Sequence, residues 1–112
     1  MAKTPIPERL KEARKRAEFS QTELGVAAGM DPSGASARMN QYERDKHVPD
    51  YQTLKRIAGV LGCPVPYFYA EDDTLAEILL HLGRLDESGK AALLEELRKA
   101  SRKASCLQPD TA

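Results

Sequence analysis

Apolar residues recur at three- and four-residue steps from the start of this chain. Ile6, Leu10, Ala13 and Ala17 form one stripe opposite Lys11, Glu12, Lys15 and Arg16, which predicts an amphipathic helix ending near Glu18. Pro7 suits its first turn, where the missing N–H would be unpaired anyway. Ser20-Gln21-Thr22-Glu23 is a capping box, in which a hydroxyl and a carboxylate reciprocally satisfy free backbone donors. It opens a short second helix with Leu24, Ala27 and Ala28 on its inner side. Gly29 follows where a left-handed residue closes a helix.

Asp31-Pro32-Ser33-Gly34 is rich in turn formers, and Ala35 to Arg44 can be one helix with Met39 and Tyr42 inward. After a polar loop from Asp45 to Pro49, Asp50 caps a helix whose inner face is Leu54, Ile57, Ala58 and Leu61, with Gly62 as its stop. Val65 to Tyr69 reads as one more short helical turn. Beyond Glu71-Asp72-Asp73, a stripe of Leu75, Ile78, Leu79 and Leu82 predicts another helix. Gly83 to Gly89 breaks it, with Asp86 as a cap, and Leu93, Leu94 and Leu97 begin a second stripe. These two segments predict a helical hairpin over residues 70–104, appended to a five-helix unit over 1–69, with a flexible tail at 105–112. There is no strand-like alternation and no internal repeat, so the expected fold is all-α.

Composition agrees with one soluble domain: of 112 residues, 41% are hydrophobic and 30% charged, while aromatics are only 5% and Trp is absent. No stretch approaches the ~20 apolar residues of a membrane span, and the N-terminus lacks an apolar run of signal-peptide length. The expected location is therefore cytoplasmic, with no membrane partner. Cys63 and Cys106 have no Cys or His neighbour at metal-ligand spacing, so they are expected as reduced thiols, with no metal and no cofactor. Net charge is zero, but the signs are unevenly shared. Residues 1–56 hold eleven Lys and Arg against eight Asp and Glu; residues 57–112 hold six against nine. That imbalance alone does not establish nucleic-acid binding. It does say which half would face phosphate.

Catalysis finds no support. His47 and His81 lack Cys, Ser or acidic neighbours at nucleophile or metal spacing, no Gly-rich phosphate loop is present, and Asp72 and Asp73 read as helix caps.

The ordered set Ser20-Gln21-Thr22-Glu23-Leu24-Gly25-Val26-Ala27-Ala28-Gly29-Met30, Asn40-Gln41-Tyr42-Glu43-Arg44 and Pro49-Asp50-Tyr51-Gln52-Thr53-Leu54 resembles the lambda repressor/Cro-type (XRE) helix-turn-helix family over Pro5 to Tyr69. Each piece is weak alone, and the order makes them specific. The chain departs from the family in two places. Gly25 stands where Ala is common, a change expected to be harmless. Between Gly29 and Asn40 it is about four residues longer, close to one helical turn. Either a longer turn or an extra N-terminal turn on the recognition helix accommodates this; Pro32 and Gly34 favour the longer turn.

The resemblance implies a DNA-binding transcriptional regulator, expected to be a repressor of a palindromic operator. Short or polar side chains suit a helix that must lie deep in a major groove, and Asn and Gln can pair with adenine, Arg with guanine. The implied base-contacting residues are Ser36, Ala37, Arg38, Asn40 and Gln41. Gln21, Arg44, Lys46 and His47 are the implied phosphate contacts, and Arg14 and Glu43 stand at the positions of an ion pair between the first and third helices. A single reading head spans few base pairs, so a homodimer is expected, with Leu75, Ile78, Leu79, Leu82, Leu93, Leu94 and Leu97 as its surface. The alternative is an antitoxin or adaptor that acts mainly on a toxin or other protein partner, for which net charge zero leaves room.

Overall fold

A computed structural model describes residues 4–101. Residues 1–3 and 102–112, including Cys106 and the expected tail, lie outside the described residues. The elements in order are α1 (Ile6–Arg16), α2 (Gln21–Ala27), α3 (Ala35–Glu43), α4 (Tyr51–Leu61), a 3-10 helix (Val65–Tyr69), α5 (Asp73–Leu82) and α6 (Glu87–Ala100). The described residues contain no strand, and none of their helices is long and apolar enough to cross a membrane.

Side-chain caps set the helix starts. Ser20 Oγ accepts from the Glu23 N–H at 3.0 Å while Glu23 Oε1 accepts from the Ser20 N–H at 2.8 Å, so the capping box is complete. Asp50, Asp72 and Asp86 each accept a backbone N–H three residues on, at 2.7–2.8 Å. The ends of α1, α2 and α3 share one device. In each, a left-handed residue follows the cap, and two backbone N–H groups turn back to close the last turn: Glu18 and Phe19 onto Lys15 and Arg14, Gly29 and Met30 onto Val26 and Gly25, Asp45 and Lys46 onto Tyr42 and Gln41. Gly29 takes its φ of 96° freely, whereas Glu18 and Asp45 hold about 60° with a Cβ to accommodate. This closure stops α1 at Arg16, two residues short of the expected Glu18, and leaves Ala17 exposed.

The longer segment before α3 is a turn. Asp31 accepts from the Ser33 N–H at 2.8 Å and from its hydroxyl at 2.6 Å, and the Gly34 N–H bonds to the Asp31 carbonyl at 3.0 Å. The extra residues are used before the helix begins, and α3 starts directly at Ala35.

Leu10, Leu24, Met39, Leu54, Ile57, Tyr67 and Phe68 are fully buried and centre the core. Within α2 the inward positions are Leu24, Gly25 and Ala28; Ala27 faces solvent, because a seven-residue helix lying on α3 and α4 buries only one narrow stripe. Two features differ from the sequence pattern. Arg9 is buried in the face of α1 that the pattern gave to apolar residues alone. The core also continues past Tyr69 through Ala70 and Ala76, so the start of α5 belongs to it.

That continuation splits the expected hairpin stripe. Leu79 and Leu80 pack on the core with Ala76, while Leu75 and Ile78 face out at 42% and 52% exposure. Leu82 and Leu93 are half-buried, and Leu94 and Leu97 are exposed. None of the described residues of α6 is buried. A groove of about 390 Å³ lined by Pro64, Pro66, Leu79, Leu82, Leu93 and Leu97 runs where α6 meets the rest. The described chain is consequently elongated, 53 × 31 × 24 Å.

Candidate nucleic-acid interface

Ala35, Met39 and Tyr42 recur at helical spacing and anchor α3 to the core. The periodicity therefore turns Ala37, Gln41 and Arg44 outward, with Ser36 and Arg38 on the two flanks, and all five are exposed. Nothing bulky and apolar stands on this face. Lys46 and His47 are exposed just beyond the helix, where both backbone N–H groups fold back onto the Gln41 carbonyl, at 2.8 and 3.3 Å. The loop thus stays against the end of α3.

Beneath that face a polar network fixes α3 to α1 and α2. Arg14 Nε donates to Glu43 Oε2 at 2.6 Å and Nη2 to Oε1 at 3.0 Å, while Nη1 caps the Phe19 carbonyl at 2.9 Å. Both side chains are largely buried, at 12% and 3% exposure. The Glu43 hydrogen bonds raise Arg14 above its ordinary value against the opposing cost of burial. Gln21 Nε2 adds two bonds from α2, to Glu43 Oε1 at 3.2 Å and to Asn40 Oδ1 at 3.3 Å.

Those bonds place two of the sequence-derived residues differently from the rest. Gln21 commits both of its amide hydrogens inside the protein, leaving only its carbonyl oxygen, an acceptor, free of these contacts. Asn40 is half-buried and accepts through Oδ1, leaving its amide nitrogen outside that bond. The cause is proximity: the N-terminus of α2 abuts the middle of α3, so polar side chains there satisfy each other first.

On the opposite flank, Arg38 lies near Asp50, as does Arg56 from α4. The Thr53 hydrogen bonds, with smaller help from these two cations, hold the Asp50 carboxyl below the usual carboxylate range. Arg56 carries no sequence signal, since it is an exposed cation beside the apolar face of an amphipathic helix. Only the fold brings it to the turn at Gly29 and near Asp50.

No group of three or more His, Cys, Asp or Glu among the described residues is arranged to hold a metal ion.

The match to known proteins covers these same elements. Residues 10–68 match the helix-turn-helix family. The immunity repressor protein of Bacillus phage phi105 is 28% identical over 102 residues, which cover 91% of this chain and 68% of that protein. The solved structure of the transcriptional regulator BswR is similar with a TM-score of 0.75 at 44% identity, over 84% of this chain and 93% of that one. The family match runs from α1 to the 3-10 helix, and so contains the Arg14–Glu43 pair, the capping box and all of α3. The chain belongs to the lambda repressor/Cro-type (XRE) helix-turn-helix family of DNA-binding transcriptional regulators.

Proposed function

We propose that the protein is a homodimeric repressor that lays α3 of each protomer into the major groove of a palindromic operator. The observation that carries this reading is the outward face of α3, polar or small throughout, on a helix locked to its neighbours by the Arg14–Glu43–Gln21 network. Ser36, Ala37, Arg38 and Gln41 meet base edges, with Asn40 contributing its amide nitrogen. Arg44, Lys46 and His47 meet phosphate, joined by Arg56. Gln21 serves first to hold Asn40 and Glu43, and reaches phosphate by exchanging one of those bonds. Repression, rather than activation, is supported by likeness to a phage immunity repressor.

The dimeric part of this reading is supported by α6. A helix with no buried residue and exposed Leu94 and Leu97 is short of packing in one copy. With Leu75 and Ile78 of α5, and with Leu82 and Leu93 at the groove edge, it presents an apolar surface to a second copy; Leu79 serves mostly the protomer's own core. Two heads so joined read half-sites about one DNA turn, ~34 Å, apart. The same surface favours the second reading, a toxin or other protein partner. Co-purification of such a partner with the full chain, in place of self-association, decides for that alternative.

The test is binding-site selection on random duplexes followed by two substitutions. Lys46→Ala weakens binding to every sequence alike and lowers the salt slope by about one. Gln41→Ala costs ~1–3 kcal/mol on the preferred site and relaxes the selected consensus there. An unchanged consensus removes Gln41 from base readout.

A further inference from the structure

Arg9, Glu12 and Arg16 recur along α1 at i, i+3 and i+7, on the side turned away from Arg14 and hence from α3. They face a cleft of about 380 Å³ closed by Tyr67 of the 3-10 helix and by α5 and the turn after it. Arg9 forms the floor, 94% removed from solvent, with Nε on the Ala70 carbonyl at 2.9 Å and Nη1 on Asp73 at 3.0 Å and Glu12 at 3.3 Å. The Tyr67 hydroxyl donates to Glu12 at 2.5 Å and accepts from Arg16 Nη2 at 3.3 Å.

Three arginines and three carboxylates line this cleft, but they are not paired one to one. Arg9 alone serves two of the carboxylates, Glu12 (which also accepts from Tyr67) and Asp73, while Glu77 stands exposed 3.5 Å from His81 and forms an ion pair with it only when the imidazole is protonated. Arg16 and Arg84 are the remainder. Among the described residues, neither has a carboxylate within ion-pair distance, although they come from elements far apart in sequence and converge on one opening. Both also lie near Cys63: burial pushes its thiol up, and the two arginines oppose that shift. Two guanidinium groups at the mouth, with a fixed hydroxyl and a third guanidinium below, suit the planar or tetrahedral oxygens of an oxyanion.

We propose that this cleft is a binding site for a small organic anion, a carboxylate or a phosphate ester, held between Arg16 and Arg84 above Arg9 and Tyr67. DNA is not the source of the anion, because the cleft lies on the face of α1 opposite the Arg14–Glu43 pair. A ligand there bridges α1 to the end of α5, the joint that carries the hairpin. Anion binding in this cleft is independent of what α3 contacts and is measured without DNA.

The experiment titrates the isotope-labelled full chain with inorganic phosphate and, separately, with citrate, at ionic strength fixed with chloride, and follows the backbone amides. The expected result is a saturable shift confined to Tyr67, His81, Arg84 and their neighbours for at least one anion; which one saturates tells phosphate from carboxylate. Arg84→Gln, at an exposed side chain with no ion-pair partner among the described residues, weakens that binding about tenfold or more. Arg16→Gln does the same, and Lys11→Gln, an equal change of charge elsewhere on α1, leaves it intact. The proposal is overturned if neither anion saturates, if the shifts spread over all basic residues, or if Arg84→Gln and Lys11→Gln bind alike.

Discussion

Gly25 of α2 and Ala35 of α3 touch with no space for another carbon between them. A Cβ on Gly25 would stand 2.8 Å from the Ala35 Cβ, 3.1 Å from Met30 Sδ and 3.2 Å from the Ala35 carbonyl oxygen. Ala35 is the first residue of α3, brought there by the turn at Asp31–Gly34. Its methyl is carried on backbone, so it moves only if the helix moves. Glycine, expected to be a harmless substitute for the family's alanine, is here what allows α3 to lie this close.

Gly25→Ala is accordingly expected to destabilise the fold. The gain of up to ~1 kcal/mol in helix propensity is outweighed by overpacking of about 1–3 kcal/mol. Thermal melts check the sign. Ala35→Gly in the same chain relieves the clash, so the double variant is more stable than additivity of the two single changes gives. A more stable Gly25→Ala chain would show that the helices separate freely.

The Arg14–Glu43 pair makes a different prediction. Removing either partner alone leaves a largely buried charge without its counterpart and costs about 3–5 kcal/mol. Arg14→Met with Glu43→Leu costs less than the sum. Urea unfolding of the four chains measures the coupling; additive effects mean the two side chains do not pair in solution. Because Glu43 also receives Gln21, its loss frees that amide and disturbs α2 as well.

Asp50 gives the pH dependence. Its folded pKa lies below the unfolded value of about 3.9, because Thr53 donates to the charged carboxylate. The cap's charged contribution is therefore complete above the unfolded value and lost as pH falls through the lower folded one. Asp50→Asn keeps an N-cap acceptor and removes the titration. Melting temperatures measured from pH 2 to 6 are expected to show the wild-type advantage at pH 6 shrinking towards acid; a difference constant with pH rules out this role.

The hairpin is tested by charge on its exposed leucines. Leu94→Glu with Leu97→Glu replaces side chains that are about half exposed, so helix content by circular dichroism is expected to stay the same. Sedimentation is expected to change from dimer to monomer, and operator affinity to fall with it. A wild-type chain that is monomeric at concentrations on the order of tens of micromolar excludes this surface as a stable dimer interface.

Local chemistry is what the sequence made legible. The caps at Ser20, Asp50 and Asp86, the left-handed closure at Gly29 and the inward Met39 and Tyr42 all lie within a few residues of the features that define them. Propensity, capping and a 3.6-residue period are interactions of that range, so a single segment contains them. The same holds for the exposed face of α3, which is the complement of its buried one.

What needed the tertiary structure were outcomes of distant segments meeting. Arg9 is buried because Ala70 and Asp73, more than sixty residues on, supply its acceptors. The leucines of α5 divide between core and solvent because the 3-10 helix takes up only one side of them. Gln21 and Asn40 are turned toward each other because α2 lies across α3, and Arg16 and Arg84 face one cleft because α1 and the end of α5 border it. A period along one helix states which residues share a face. Only the packing of the whole chain decides what that face meets.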